Sequence, residues 1–190
     1  MNTRESQCIL VTGAARSGKS EWAESLALTA EQRGQQVVYV ATSVADPDDA
    51  EWQVRLERHR QRRPPSWNCI DGPVDLVAIL TEADVHTCLL VDSLGTWLTH
   101  LLEQTDDEWD QTMELVLTTV AKAKATIIFV AEEVGWGVVP AYPVGRTFRD
   151  RLGQLTRNLG AIAFPVYLVT AGHILNLSQL GTPLPSTHPS

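Results

Sequence analysis

The eight residues Gly13-Ala14-Ala15-Arg16-Ser17-Gly18-Lys19-Ser20 constrain this chain more than any other stretch. They fit the phosphate-loop pattern G-x-x-x-x-G-K-[ST], which works only with a strand before it and a helix after it. Both are legible here. Cys8-Ile9-Leu10-Val11-Thr12 is an apolar run suited to a buried strand of a parallel sheet. Trp22, Ala23, Leu26, Ala27 and Ala30 then recur at helical spacing, predicting a helix over residues 18–32. In such a loop the backbone N–H groups close around a phosphate, and the helix N-terminus adds its partial positive charge. Lys19 then reaches the β- and γ-phosphates, and the Ser20 hydroxyl ligates Mg²⁺. The pattern predicts a binder of nucleoside triphosphates.

The rest of the chain supplies a sheet for that loop. Apolar, β-branched runs predict further strands at 37–41, 87–92, 126–131 and 166–170, with a short one at 67–70. Between them, helices are expected at 48–60, 73–82, 94–102, 109–124 and 144–159. Strands alternating with helices give a doubly wound α/β fold, a mostly parallel sheet with helices on both faces. With 190 residues and 44% hydrophobic composition, one domain over 1–176 is expected. Pro183, Pro185, Pro189 and several Ser and Thr make 177–190 a mobile tail in this reading.

Charge narrows the partners. Fifteen Lys and Arg against 23 Asp and Glu leave a net charge of −8. That balance argues against a general nucleic-acid or membrane-surface binder. Three cysteines without CxxC spacing suggest neither a disulfide framework nor a zinc site. The polar start 1–7 has no signal-type apolar core, and no run approaches the ~20 apolar residues of a membrane span. A cytoplasmic protein is expected.

Two further places carry chemistry. Asp92 closes the apolar run Thr87-Cys88-Leu89-Leu90-Val91, where phosphate-loop proteins hold Mg²⁺ directly or through water. Asp92-Ser93-Leu94-Gly95 also fits a D-x-x-G switch, but no N-K-x-D guanine reader occurs in the chain. The second place is Arg55-Leu56-Glu57-Arg58-His59-Arg60-Gln61-Arg62-Arg63, with five Arg and one Glu in an otherwise acidic protein. His59 falls on the apolar stripe with Trp52 and Leu56 rather than on the wet side. A neutral imidazole can attack phosphorus while arginines absorb charge on the phosphoryl oxygens. The residues alone leave His59 either a nucleophile or a structural histidine. They equally leave Trp136, between Gly135 and Gly137, as a ligand cap or a subunit contact.

Taken together, these stretches resemble one family. They are the loop Thr12–Ser20, Tyr39-Val40-Ala41-Thr42-Ser43, and His59-Arg60 with Arg63-Pro64 shortly after. Glu133-Val134-Gly135-Trp136-Gly137-Val138-Val139-Pro140 and Phe148-Arg149-Asp150 complete the set. The ordered series, covering residues 9–172, is similar to adenosylcobinamide kinase / adenosylcobinamide-phosphate guanylyltransferase, a bifunctional enzyme of late cobalamin assembly. The resemblance implies a RecA-like phosphate-loop fold, a homotrimer, and corrinoid, ATP and GTP as substrates. It implies phosphorylation of adenosylcobinamide, then GMP transfer from GTP through a guanylyl–histidine intermediate whose nucleophile falls on His59. The implied nucleotide contacts are Gly13 through Ser20, Ala41, Thr42, Ser43, Arg60, Gln61, Arg62, Arg63, Asp71 and Asp92. The chain departs from the family in having Asp71 and Asp92 where Glu is common, and Glu132 where Asn is usual. Thr156-Arg157 and Phe164-Pro165 also depart from it, so the first half matches better than the second. Setting the resemblance aside, a plain small-molecule kinase or a nucleotide-sensing module would satisfy the same loop.

Overall fold

Seven strands form one sheet, in a computed structural model that describes residues 7–43, 57 and 62–184. The strands are β1 (Gln7–Gly13), β2 (Gln36–Ala41), β3 (Asn68–Asp71), β4 (Thr87–Asp92), β5 (Thr126–Glu132), β6 (Val166–Thr170) and β7 (His173–Asn176). They lie in the order β3-β2-β4-β5-β1-β6-β7, all parallel except β7, which runs antiparallel to β6. Helices α1 (Lys19–Gln32), α2 (Leu76–Glu82), α3 (Leu94–Thr99), α4 (Asp106–Lys122), α5 (Pro143–Ile162) and α6 (Leu177–Leu180) connect and cover them. One strand, β5, separates the phosphate-loop strand β1 from β4, the RecA-like arrangement.

The two faces are filled differently. Ile9, Val11, Tyr39, Leu90, Ile128 and Val130 point to the face covered by α1, whose Ala23, Ala27 and Ala30 pack flat against them. Leu10, Val40, Leu89, Val91, Ile127 and Phe129 point to the other face, under α2, α3, α4 and α5. This alternation is the period-two pattern of a strand buried on both sides. Cys88 is fully buried, and burial pushes its thiol up to about 12, so it packs as a small apolar residue.

Several boundaries differ from the sequence reading for local reasons. α4 starts at Asp106 rather than 109 because Thr105 and Glu108 form a capping box. α2 starts at Leu76 because the Asp75 side chain accepts from Ala78 N at 3.0 Å. α3 stops at Thr99, and residues 100–102 form turns. β7 was not expected. Ala171 and Gly172, both at positive φ, form the two-residue turn that brings His173–Asn176 back along β6. The helix expected over 48–60 lies outside the described residues. Beyond Asn176 the chain enters α6, where Ser178 Oγ accepts from Val166 N at 2.9 Å.

Candidate active site at the carboxyl edge of the sheet

Every parallel strand ends on the same edge, where open α/β sheets bind their ligands. Strand register lines up the predicted residues there. Ala41 pairs with Asp71 on one side and Asp92 on the other, and Gly13 pairs with Glu132. The phosphate loop leaves β1 at Gly13 and enters α1 at Lys19. Arg16 and Gly18 both have left-handed backbone (φ 60° and 94°), a curl that turns successive N–H groups inward. Gly13 is required by close approach: a Cβ there would lie 2.4 Å from Val169 O and 2.7 Å from Ser17 Oγ. Gly13 O also accepts from Glu133 N at 2.9 Å, which ties the loop's base to the end of β5.

The loop contains what an anion would satisfy. Lys19 is 6% exposed, yet among the described residues its Nζ has only Ala14 O, at 3.5 Å. A buried cation is costly unless an opposite charge meets it. The hydroxyls of Thr12 and Ser17 are likewise buried without a partner. A phosphate in the loop would answer the Lys19 charge. Ser20 follows Lys19 in the first turn of α1 and is half-buried.

Beside the loop, a chain of contacts links both predicted carboxylates. Tyr39 OH donates to Asp92 Oδ2 at 2.6 Å. Burial, with Asp92 adding to it, pushes the Tyr39 phenol well above its usual range, so it remains a donor. The Arg63 guanidinium lies 3.7 Å over the Tyr39 ring and 3.8 Å from Asp71 Oδ1. Arg62 reaches α1 instead, bonding Glu21 at 2.9 Å and Glu24 at 3.2 Å. Burial raises the Glu24 carboxyl above its ordinary value, with Arg62 opposing the shift and Asp92 reinforcing it. The arginine-rich stretch is therefore anchored at its C-terminal end to α1 and β2, one turn from the phosphate loop.

Not every predicted contact faces outward. Thr42 is 1% exposed, and its hydroxyl donates to Ser93 O at 2.7 Å and accepts from Ser93 N at 2.9 Å. Its carbonyl meets His100 Nε2 at 3.1 Å, which gives that histidine a structural role. Ser43 is half-buried beside it. His59, Arg60 and Gln61 lie outside the described residues. Trp136 is 73% exposed, and Arg149 Nη2 holds its loop by donating to Gly135 O at 2.7 Å. The sequence reading missed Tyr39 and Glu24. The register that puts Tyr39 against Asp92 has no local signature, whereas Glu24, four residues past Ser20 on the same helix face, could have been found.

Comparison with known proteins fits this site. A family model described as cobinamide kinase / cobinamide phosphate guanyltransferase matches residues 9–177. A Pseudomonas aeruginosa protein named bifunctional adenosylcobalamin biosynthesis protein CobP is 38% identical, over 92% of this chain and 98% of that one. The Escherichia coli protein named bifunctional adenosylcobalamin biosynthesis protein CobU is 36% identical, over 86% and 96%. Among solved structures, a Pyrococcus horikoshii protein described as Project ID PH0250 superposes with a TM-score of 0.53 at 9% identity. That match covers 90% of this chain and 85% of the other, a likeness of fold alone.

Proposed function

Because the chain belongs to the cobinamide kinase / cobinamide phosphate guanyltransferase family, we propose that it performs both reactions on adenosylcobinamide. In the first, the substrate hydroxyl attacks the γ-phosphorus of ATP or GTP, and the nucleoside diphosphate leaves. The loop N–H groups and Lys19 hold the β- and γ-oxygens and stabilise the charge that builds on them. In the second, an imidazole nitrogen of His59 attacks the α-phosphorus of GTP and pyrophosphate leaves. An oxygen of adenosylcobinamide phosphate then attacks that phosphorus, releasing His59 and giving adenosylcobinamide-GDP. Splitting the transfer into two displacements is what a covalent nucleophile contributes.

What supports His59 is the anchoring of Arg62 on Glu21 and Glu24. Arg62, three residues further along the chain, thereby sits on the first turns of the helix that the phosphate loop opens. Arg60, Arg62 and Arg63 are the groups to neutralise the triphosphate, and the Gln61 amide would donate hydrogen bonds to it. Ser43, half-buried just past β2, is left as the nucleotide contact of that stretch, with the buried Thr42 holding Ser93 beneath it, and Asp71 steadies Arg63. Mg²⁺ fits this donor set. Ser20 and Asp92 would hold it, with phosphate oxygens and water supplying the remaining ligands. When bound, it offsets phosphate charge in both reactions.

In this reading the active form is a cytoplasmic homotrimer, and the exposed Trp136, Val138 and Val139 suit an apolar subunit contact. No helix among the described residues is long and apolar enough to cross a membrane. The direct assay supplies cobinamide with γ-labelled nucleotide, then cobinamide phosphate with α-labelled GTP. Label should enter the corrinoid in both. Label in neither would remove the proposal, and label in the first alone would reduce it to a kinase.

A further inference from the structure

Strand β2 grips Asp92 at both its backbone and its side chain. The Thr42 N–H donates to Asp92 O at 3.2 Å, and the Thr42 hydroxyl binds both the N–H and the carbonyl of Ser93. Earlier on β2, Tyr39 OH donates to Asp92 Oδ2 at 2.6 Å, a short bond as expected to a charged acceptor. Register makes this possible, because Ala41 is the strand neighbour of Asp92 and Tyr39 shares the Ala41 face.

The phenol is itself held. Tyr39 is 1% exposed, the Trp67 ring stacks on it with centroids 6.3 Å apart, and the Arg63 guanidinium lies 3.7 Å from its centroid. A ring fixed in this way aims its O–H at one place. Asp92 needs such a partner: it is half-buried at the carboxyl edge, where an unheld side chain samples several rotamers. Glu24 of α1 also lies close enough for the two carboxylates to repel. Mg²⁺ tolerates little departure from octahedral geometry, so an oxygen offered to it has to stand in the right place beforehand. Groups that orient a metal ligand typically account for about 10–100-fold in metal affinity.

We infer that Tyr39 is a positioning residue for the Mg²⁺ site, its phenol fixing the Asp92 carboxylate where the metal carried by the nucleotide meets it. Tyr39 touches neither metal nor nucleotide. The inference rests on the function proposed above, in which Asp92 meets Mg²⁺, and the test separates the two.

Full-length protein is titrated calorimetrically with the α,β-methylene analogue of GTP, which cannot pass GMP to the protein, first with Mg²⁺ and then with EDTA. Wild type is compared with Tyr39→Phe, Asp92→Ala and the double variant. Phe keeps the ring against Arg63 and Trp67 and removes only the O–H. Tyr39→Phe should weaken binding about tenfold or more with Mg²⁺ and less than about twofold in EDTA. The double variant should match Asp92→Ala, because a phenol that acts through Asp92 has nothing left to act on. That comparison leaves no carboxylate without its donor, so it reports even where the single Phe variant is unstable. Wild-type affinity of Tyr39→Phe in Mg²⁺, an equal loss with and without the metal, or a double variant weaker than Asp92→Ala would each overturn the inference. If Asp92→Ala keeps its full Mg²⁺-dependent affinity, the Mg²⁺ site proposed at Asp92 fails and the role of Tyr39 with it, while the two transfer reactions stand or fall by their own labelling assay.

Discussion

The two faces of the sheet do different jobs. Among the described residues a single helix, α1, covers one face, and its buried contacts are alanines, so backbone lies close to backbone. Four helices cover the other, through Leu, Trp, Met and Val side chains. The thin face carries the phosphate loop, the buried Lys19 and the Tyr39–Asp92 pair. The thick face carries most of the large buried side chains. The difference teaches that positioning here comes from backbone geometry and short polar contacts, whereas stability comes mainly from side-chain bulk. Substitutions on the two faces should therefore separate activity from stability.

The largest separation is expected at Lys19. Lys19→Ala should lower kcat/KM by about 10²-fold or more, the usual loss when one charge-stabilising group is removed. It also removes a buried charge, so the nucleotide-free protein should melt no lower than wild type. A substantial drop in Tm would break the comparison by making Lys19 structural. On the thick face, Leu155 is fully buried under the sheet. Leu155→Ala should destabilise the fold by about 2–5 kcal/mol in a denaturant titration. The Kd for GTP of the remaining folded protein should match wild type, and a parallel loss of nucleotide affinity would show that the faces are coupled.

The same contrast explains what was legible in the sequence. The phosphate loop, β1, β2, β4 and β5 declare themselves because glycine spacing and unbroken apolar runs are local signals. The Thr105–Glu108 capping box was equally local, and reading it would have moved the start of α4 to its observed place. β7 was hidden because its hairpin turn, Ala171-Gly172, lacks the Asn-Gly or Asp-Gly signature and its four residues are too few for a pattern. The Asp71–Arg63–Tyr39–Asp92 chain depends on three strands meeting in register, which no single stretch encodes. The packing of Arg151 over the Trp109 ring, between α5 and α4, was likewise invisible. Trp109 and Arg151 are 42 positions apart, and only packing brings them together.

In the proposed second reaction an imidazole among arginines takes the GMP group from GTP. The most direct measurement incubates pure protein with α-labelled GTP and Mg²⁺, without corrinoid, and follows label on the protein after denaturation. The account predicts acid-labile label on wild type and none on His59→Ala. Unlabelled wild type, or equal label on the two, would contradict it.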